Sequence, residues 1–339
     1  MATTGYRVDR QIPLEELGLT RDEVLGMYRD MLMARAVSER LWIMGRLGKV
    51  YFLVSCEGHE AAQVGSAYAM RRGHDIFIPY YRDLGVALAA GSPPQDIFLH
   101  ALGKSADPYS AGRQLPGHYS RRDLNIVSGS SCVGTQIPHG VGTAYASRYR
   151  GEDAVTIVYF GEGATSTGDF HEALNFAGIH RLPVIFFCEN NGWAISVPQA
   201  KQMVVQDVSI KAEGYGFPGL SVDGTDVLEV YRVTREAVAR ARQGEGPTLI
   251  EAKVSRLSSH SSNDDQTRYR TPEDLERDRA HDPITRFREQ LLNSSVLDEG
   301  EELQIRDEID RTLEEAVTQA EASPDPHPED ASAQVYSEG

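Results

Sequence analysis

Cysteine is scarce in this chain of 339 residues: only Cys56, Cys132 and Cys188 occur, with no Cys-x-x-Cys pair among them. That excludes a disulfide framework and a cysteine-ligated zinc site, and it predicts a reducing compartment. Long apolar runs are missing as well. No stretch approaches the roughly 18 residues that a membrane span requires, and 40% apolar with 25% charged residues is ordinary globular composition, so a soluble protein without a membrane partner is expected. Basic charge is in deficit, 34 lysines and arginines against 50 acids, for a formal charge of −16 at pH 7. Such a field repels polyanions, so no nucleic-acid partner is expected, although a local basic pocket for a small phosphate stays open. The first residues lack the apolar core of a secretory signal, and Asp9 between Arg7 and Arg10 does not suit an organelle transit peptide. The location predicted from these absences is cytoplasmic.

What is present reads as an α/β chain. Thr20 and Glu23 have capping-box spacing, and Val24, Met27, Tyr28 and Met31 then fall on one face, which predicts a long helix ending near Gly45 to Gly48. A short helix is expected from about His59 to Met70, followed by an extended run Ile76, Phe77, Ile78 that stops at Pro79. The aperiodic segment from Ser105 to Ser131 is too long for an idle loop and is a candidate rim for an active site. Near-continuous apolar runs at Val155 to Phe160, Val184 to Cys188 and Leu249 to Val254 fit strands of a parallel sheet covered on both faces, with helices at Thr167 to His180 and Asp226 to Gln243 between them. The fold class expected is a doubly wound, mostly parallel α/β sheet. A polar stretch, Ser258 to Tyr269, precedes helices near Pro272 to Arg279, Ile284 to Leu292 and Glu301 to Glu321. The domain plan is an N-terminal extension over 1–20, one domain over 21–322 and an acidic tail over 323–339.

The chemistry concentrates at two strand ends. Gly161-Glu162-Gly163-Ala164 follows one buried strand, and Asn190-Asn191-Gly192 ends the next, so both lie at the carboxyl edge where open sheets bind ligands. Gly161 and Gly163 suit close approach of backbone to a ligand, and a helix starting near Thr165 would turn free amides toward phosphate oxygens. Glu162 and Asn191 offer the hard oxygens that magnesium takes when it bridges phosphates. A dinucleotide fingerprint fails, because Ser166 stands where its third glycine belongs. A nucleoside-triphosphate loop fails because Asp169 replaces the lysine.

In this pattern the sequence resembles the thiamine diphosphate enzymes. More narrowly, it is similar to the alpha subunits of the decarboxylating component of branched-chain 2-oxo acid dehydrogenase complexes. Supporting motifs are Tyr80-Tyr81-Arg82-Asp83, Gly112 to His118, Ser130-Ser131 with Thr135-Gln136, Glu189 to Ser196, and His260 to Asp265. The resemblance implies a thiamine diphosphate-binding fold, with magnesium held by Glu162, Asn191 and the main-chain oxygen of Trp193. It further implies cofactor contacts from Tyr81, Arg82, Ser131, Val133, Gly161, Glu162, Gly163, Ala164, Asn191, Arg256 and His260, with His260 aiding acyl transfer. Phe52 is the family-like candidate for the substrate pocket, and Ser130, Thr135 and Gln136 match a monovalent cation site of some relatives.

Partners implied are a beta subunit that supplies the missing half of the cofactor site, in an assembly of two alpha and two beta chains, a lipoyl acyltransferase component, and a 2-oxo acid substrate. Pyruvate dehydrogenase alpha subunit is the alternative within the class, and a non-catalytic nucleotide-binding regulatory subunit the alternative outside it. Residue by residue, blander readings compete: His260 as a surface histidine, Arg82 as the salt-bridge partner of Asp83, Phe52 as core packing.

Overall fold

A computed structural model of the chain describes residues 14–332. Helix α1 spans Arg21–Arg46. Its start is the reciprocal box expected from the sequence: Thr20 Oγ1 accepts from the Glu23 amide at 3.2 Å, and the Glu23 carboxylate accepts from the Thr20 amide at 2.7 Å. Val24, Met27, Tyr28 and Met31 are buried along its length. Helix α2 follows at Glu60–Tyr68 and strand β1 at Ile76–Ile78. The sheet is then completed by β2 (Thr156–Gly161), β3 (Val184–Asn190), β4 (Gly219–Asp223) and β5 (Thr248–Lys253).

The five strands are all parallel, in the order β1-β2-β3-β5-β4. Alternate residues feed two cores. Ile157, Tyr159, Ile185, Phe187 and Ile250 join the one that also contains α1 and α2. Val158, Phe160, Phe186, Cys188 and Leu249 join the other, where helices α5 (Gln136–Arg150) and α6 (Gly168–His180) pack. Burial on both faces is why these strands read as continuous apolar runs, and the doubly wound class is borne out. Truncating a central side chain such as Phe186 would cost about 3 to 5 kcal/mol.

The unpredicted elements include three helices and one strand of the main sheet, besides the four-residue helices Leu14–Leu17 and Gln199–Gln202 and the hairpin Trp193–Pro198. Helix α3 (Leu84–Ala89) is buried on every side, so it has no polar face to create a period. Helix α4 (Pro94–Ala101) is a short piece, and α5 carries glycines and polar residues along most of its length. In the edge strand β4 only Val222 is buried. Helices α7 (Val227–Arg242), α8 (Pro272–Arg279), α9 (Pro283–Asn293) and α10 (Glu299–Ala322) lie where the sequence placed them.

The ends of the domain plan fall partly outside the described residues, namely 1–13 of the extension and 333–339 of the tail. Within the described part, Leu17 and Leu19 are buried. The tail is also fastened at its root, where Pro324 O accepts from the Ser105 amide at 3.1 Å and Lys104 reaches Asp325 at 2.7 Å. Three free cysteines agree with the absence of a disulfide framework. No helix among the described residues is long and apolar enough to cross a membrane.

Candidate active site

Parallel register places the ends of β2 and β3 side by side, with Gly161 opposite Glu189. Above this edge opens a cavity of about 390 Å³. Its lining brings together Tyr81, Arg82, Ser130, Ser131, Val133, Gln136, Gly161, Glu162, Gly163, Ala164, Asn191, Trp193 and His260 from five separate stretches of chain. Arg256, Thr135 and Phe52 are not in the lining. Arg256 sits one layer back, bonded to Ile195 O at 3.1 Å, and Ile195 does line the cavity. Thr135 is the residue before α5. Phe52 is half-buried, and its neighbour Leu53 exchanges hydrogen bonds with Ser262 in the loop of His260.

One expectation is corrected. No α-helix begins near Thr165: Glu162–Ser166 form a 3₁₀ turn, and α6 starts at Gly168 with its Phe170 amide already capped by Thr167 Oγ1. The free end of a helix therefore does not point from this loop. Gly163 is explained by packing, because a Cβ there would sit 3.0 Å from the Ala194 Cβ of the short hairpin Trp193–Pro198.

The electrostatics of the cavity are unbalanced. Glu162 is 1% exposed, and its Oε2 accepts from the Asn191 amide at 3.3 Å while Oε1 has no partner. Burial pushes its carboxyl above the ordinary carboxylate range. Arg82 is 2% exposed; it donates to Ser55 O at 2.7 Å and to His260, leaving Nε unpaired. Arg256 is fully buried and bonds Tyr269 OH at 2.7 Å, leaving Nε and Nη1 unpaired. Burial, and then the charge of Arg82, lowers its pKa. Neither arginine has a carboxylate ion-pair partner among the described residues, so the reading of Arg82 as a salt-bridge partner of Asp83 is not borne out. An unpaired buried charge is costly, and an anion held between these two guanidiniums would remove that cost.

His260 faces the same space. Its amide is held by Asp264 at 2.8 Å and its Nδ1 accepts from Arg82 at 3.2 Å, which leaves the proton on Nε2. Burial and then Arg82 and Arg256 lower its pKa to about 4, so the ring is neutral at physiological pH. Asp264 serves the loop, through the His260 amide and Tyr269 OH.

Several residues that complete the site were given no role from sequence, although His118, Ile195, Tyr80, Asp83 and Glu189 lie within the motifs quoted above. Ile195 adopts φ +56°, a left-handed conformation that costs a β-branched residue about 1 to 3 kcal/mol. His118 Nε2 accepts from Ser131 Oγ at 2.7 Å, tying the rim loop to the cavity. Behind Asn191 lies a closed polar cluster of His59, Gln63, Tyr80, Asp83 and Glu189, every member buried. Burial, and then the charge of the adjacent Glu189, pushes the Asp83 carboxyl well above the ordinary carboxylate range. The signal for this cluster was a single one, an acid at the end of an otherwise apolar strand run.

A cavity at the carboxyl edge of a doubly wound sheet, walled by the guanidinium of Arg82 and the carboxylate of Glu162 with the guanidinium of Arg256 one layer behind, defines an α/β enzyme chain that holds an anionic cofactor. Comparison with known proteins narrows this. The chain belongs to the dehydrogenase E1 component family, whose model matches residues 28–329. It is 48% identical over 322 residues to the 2-oxoisovalerate dehydrogenase subunit alpha of Bacillus subtilis, covering 95% of this chain and 98% of that one. It is 40% identical over 303 residues to the 3-methyl-2-oxobutanoate dehydrogenase subunit alpha of Mycobacterium tuberculosis, covering 89% and 78%. With the mitochondrial 2-oxoisovalerate dehydrogenase subunit alpha of Mus musculus it shares 38% identity over 339 residues, covering 98% and 76%.

Proposed function

We propose that this chain is the alpha subunit of a branched-chain 2-oxo acid dehydrogenase, which decarboxylates its substrate oxidatively and passes the acyl group to a lipoyl-lysine of an acyltransferase component. The observation that carries the reading is the charge pattern of the cavity: unpaired N–H groups on buried Arg82 and Arg256 beside an unpaired oxygen on buried Glu162. A diphosphate with a divalent cation would satisfy all three at once. The names of the three relatives support the branched-chain substrate.

Thiamine diphosphate, when bound, supplies the electron sink that lets carbon dioxide leave a 2-oxo acid. Around it, Arg82, Arg256, Tyr81 and His260 hold the diphosphate, while Ser131, Val133 and the loop Gly161 to Ala164 shape the seat. Glu162, Asn191 and the main-chain oxygen of Trp193 hold magnesium. Gln136 Oε1, buried without a partner, supports a monovalent cation shared with Ser130 and Thr135. His260 presents Nε2–H, the free donor of its neutral ring, to the oxygen on which negative charge would develop during acyl transfer. Phe52, beside the loop of His260, forms the outer wall of the substrate site beyond the cavity itself.

A beta chain completes the site in an assembly of two alpha and two beta chains. Support comes from Leu115, Val133 and Ile195, large apolar side chains left exposed near the cavity. Cytoplasmic placement fits the three unpaired cysteines. The test is reconstitution: the chain with its beta partner should decarboxylate 3-methyl-2-oxobutanoate, and the chain alone should not. Robust turnover by the single purified chain would overturn the two-chain site.

A further inference from the structure

Asn191 has one side-chain oxygen to offer a metal and one amide nitrogen that would repel it, so the site works only in one of two amide orientations. The surroundings decide which. Asn191 Oδ1 accepts from the Trp193 amide at 3.1 Å, while Nδ2 lies 3.4 Å from His59 Nε2. An amide nitrogen donates, so His59 Nε2 accepts and the ring proton sits on Nδ1. There it meets Glu189 Oε2 at 2.5 Å. That oxygen is fixed in turn by Gln63 Nε2 and Tyr80 OH, each at 3.1 Å. His59 and Glu189 have no exposed surface.

We propose that the buried pair His59–Glu189 is a positioning device for Asn191, fixing the tautomer of His59 so that the carboxamide must keep its oxygen toward the metal. The proposal rests on the reading of Glu162 and Asn191 as a magnesium pair. Glu189 carries no cofactor contact of its own. Its work is done through a chain of two hydrogen bonds, from carboxylate to imidazole to amide, and a ligand oriented from behind in this way holds its ion more tightly than a free one. With an apolar residue at 59, Nδ2 would have no acceptor, and rotation of the amide toward the cavity would face the ion with N–H groups.

The test is titration of magnesium into the full-length assembly in the presence of thiamine diphosphate, following heat and, in a Trp42→Phe background, the change in fluorescence at Trp193. His59→Leu should raise the magnesium concentration for half-saturation by about tenfold or more. His59→Gln retains one acceptor and one donor, and Glu189→Gln retains the accepting oxygen; each should stay within about threefold of the parent. His59→Leu alone leaves a buried carboxylate uncompensated and threatens folding, so it is paired with Glu189→Met, which removes both polar partners together. The double variant should fold and show the same loss of magnesium affinity. A double variant that melts like the parent and binds magnesium within about twofold of it would overturn the proposal. So would a lowered melting temperature with magnesium binding untouched, which is the signature of packing alone. If the parent binds cofactor without any dependence on magnesium, the metal reading itself falls and takes this one with it.

Discussion

Two sets of arginines, one partly buried and one fully, divide the molecule. Arg35 ties α1 to α2 and α9 through Glu60 at 2.6 Å and Asp282 at 2.9 Å, and Arg242 secures α7 to Asp75 at 2.8 Å. Arg82 and Arg256 are at least as deeply buried and have no carboxylate partner among the described residues, only carbonyls, a phenol and a histidine. The first set holds helices in place. The second lacks any carboxylate and leaves guanidinium N–H groups unsatisfied at or just behind a cavity, so its charge acts in binding, whereas the one unpaired nitrogen of the first, Arg35 Nη2, belongs to a guanidinium that two carboxylates already neutralise. A buried arginine is therefore informative through what its partners lack.

The comparison breaks most sharply at the metal side. Glu162→Gln or Asn191→Ala should abolish magnesium-dependent binding of thiamine diphosphate in calorimetry, since each removes or weakens an oxygen ligand that no neighbour replaces. Next come the arginines themselves, with opposite signatures. Arg35→Ala leaves Glu60 buried without its cation and should cost about 3 to 5 kcal/mol of stability in urea unfolding. Arg82→Met or Arg256→Met should leave the melting temperature unchanged or raise it. Each should still weaken cofactor binding by about 10-fold to 100-fold, the worth of a hydrogen bond between charged groups at about 1.5 to 3 kcal/mol. Equal loss of stability in both sets would erase the distinction.

His260 reports the same imbalance through pH. Its pKa of about 4 in the folded chain lies below the ordinary histidine value of 6.5. The unfolded chain therefore binds more protons between those two values, and this group makes stability rise with pH across that window. Charge on a bound diphosphate offsets Arg82 and Arg256, so NMR titration of His260 should show its midpoint move upward when the cofactor is added. An unmoved midpoint would place the anion elsewhere. The smallest effect expected is at Phe52. Phe52→Ala should lower kcat/KM for branched 2-oxo acids relative to pyruvate by up to about tenfold, at about 0.8 kcal/mol for each methylene left without contact. Equal losses for both substrates would remove Phe52 from the substrate wall.

The division also explains what the sequence made legible. Local signals came through: the Thr20 to Glu23 box, the apolar runs of β2, β3 and β5, and the site motif at Gly161 to Ala164 and Asn190-Asn191, which parallel register alone brings together. Helix α3 escaped because complete burial erased its period, and the short turn before α6 escaped because a helix start is set by capping at Thr167. Individual side-chain contacts between residues far apart in sequence could not be read, although the family resemblance already implied that Arg82 and His260 share one site. His59 meets Glu189 across 130 positions, and Arg82 meets His260 across 178. The unpaired state of Arg82 and Arg256 is likewise a property of the assembled fold.

That Arg82, Arg256 and Glu162 are left unsatisfied for a magnesium diphosphate is tested most directly by ligand-induced thermal shift of the full-length assembly. Thiamine diphosphate with magnesium, at about 100 times its dissociation constant, should stabilise the protein by about 2.7 kcal/mol, and thiamine lacking the diphosphate should give no comparable shift. Equal shifts from the two ligands, or none from either, would contradict it.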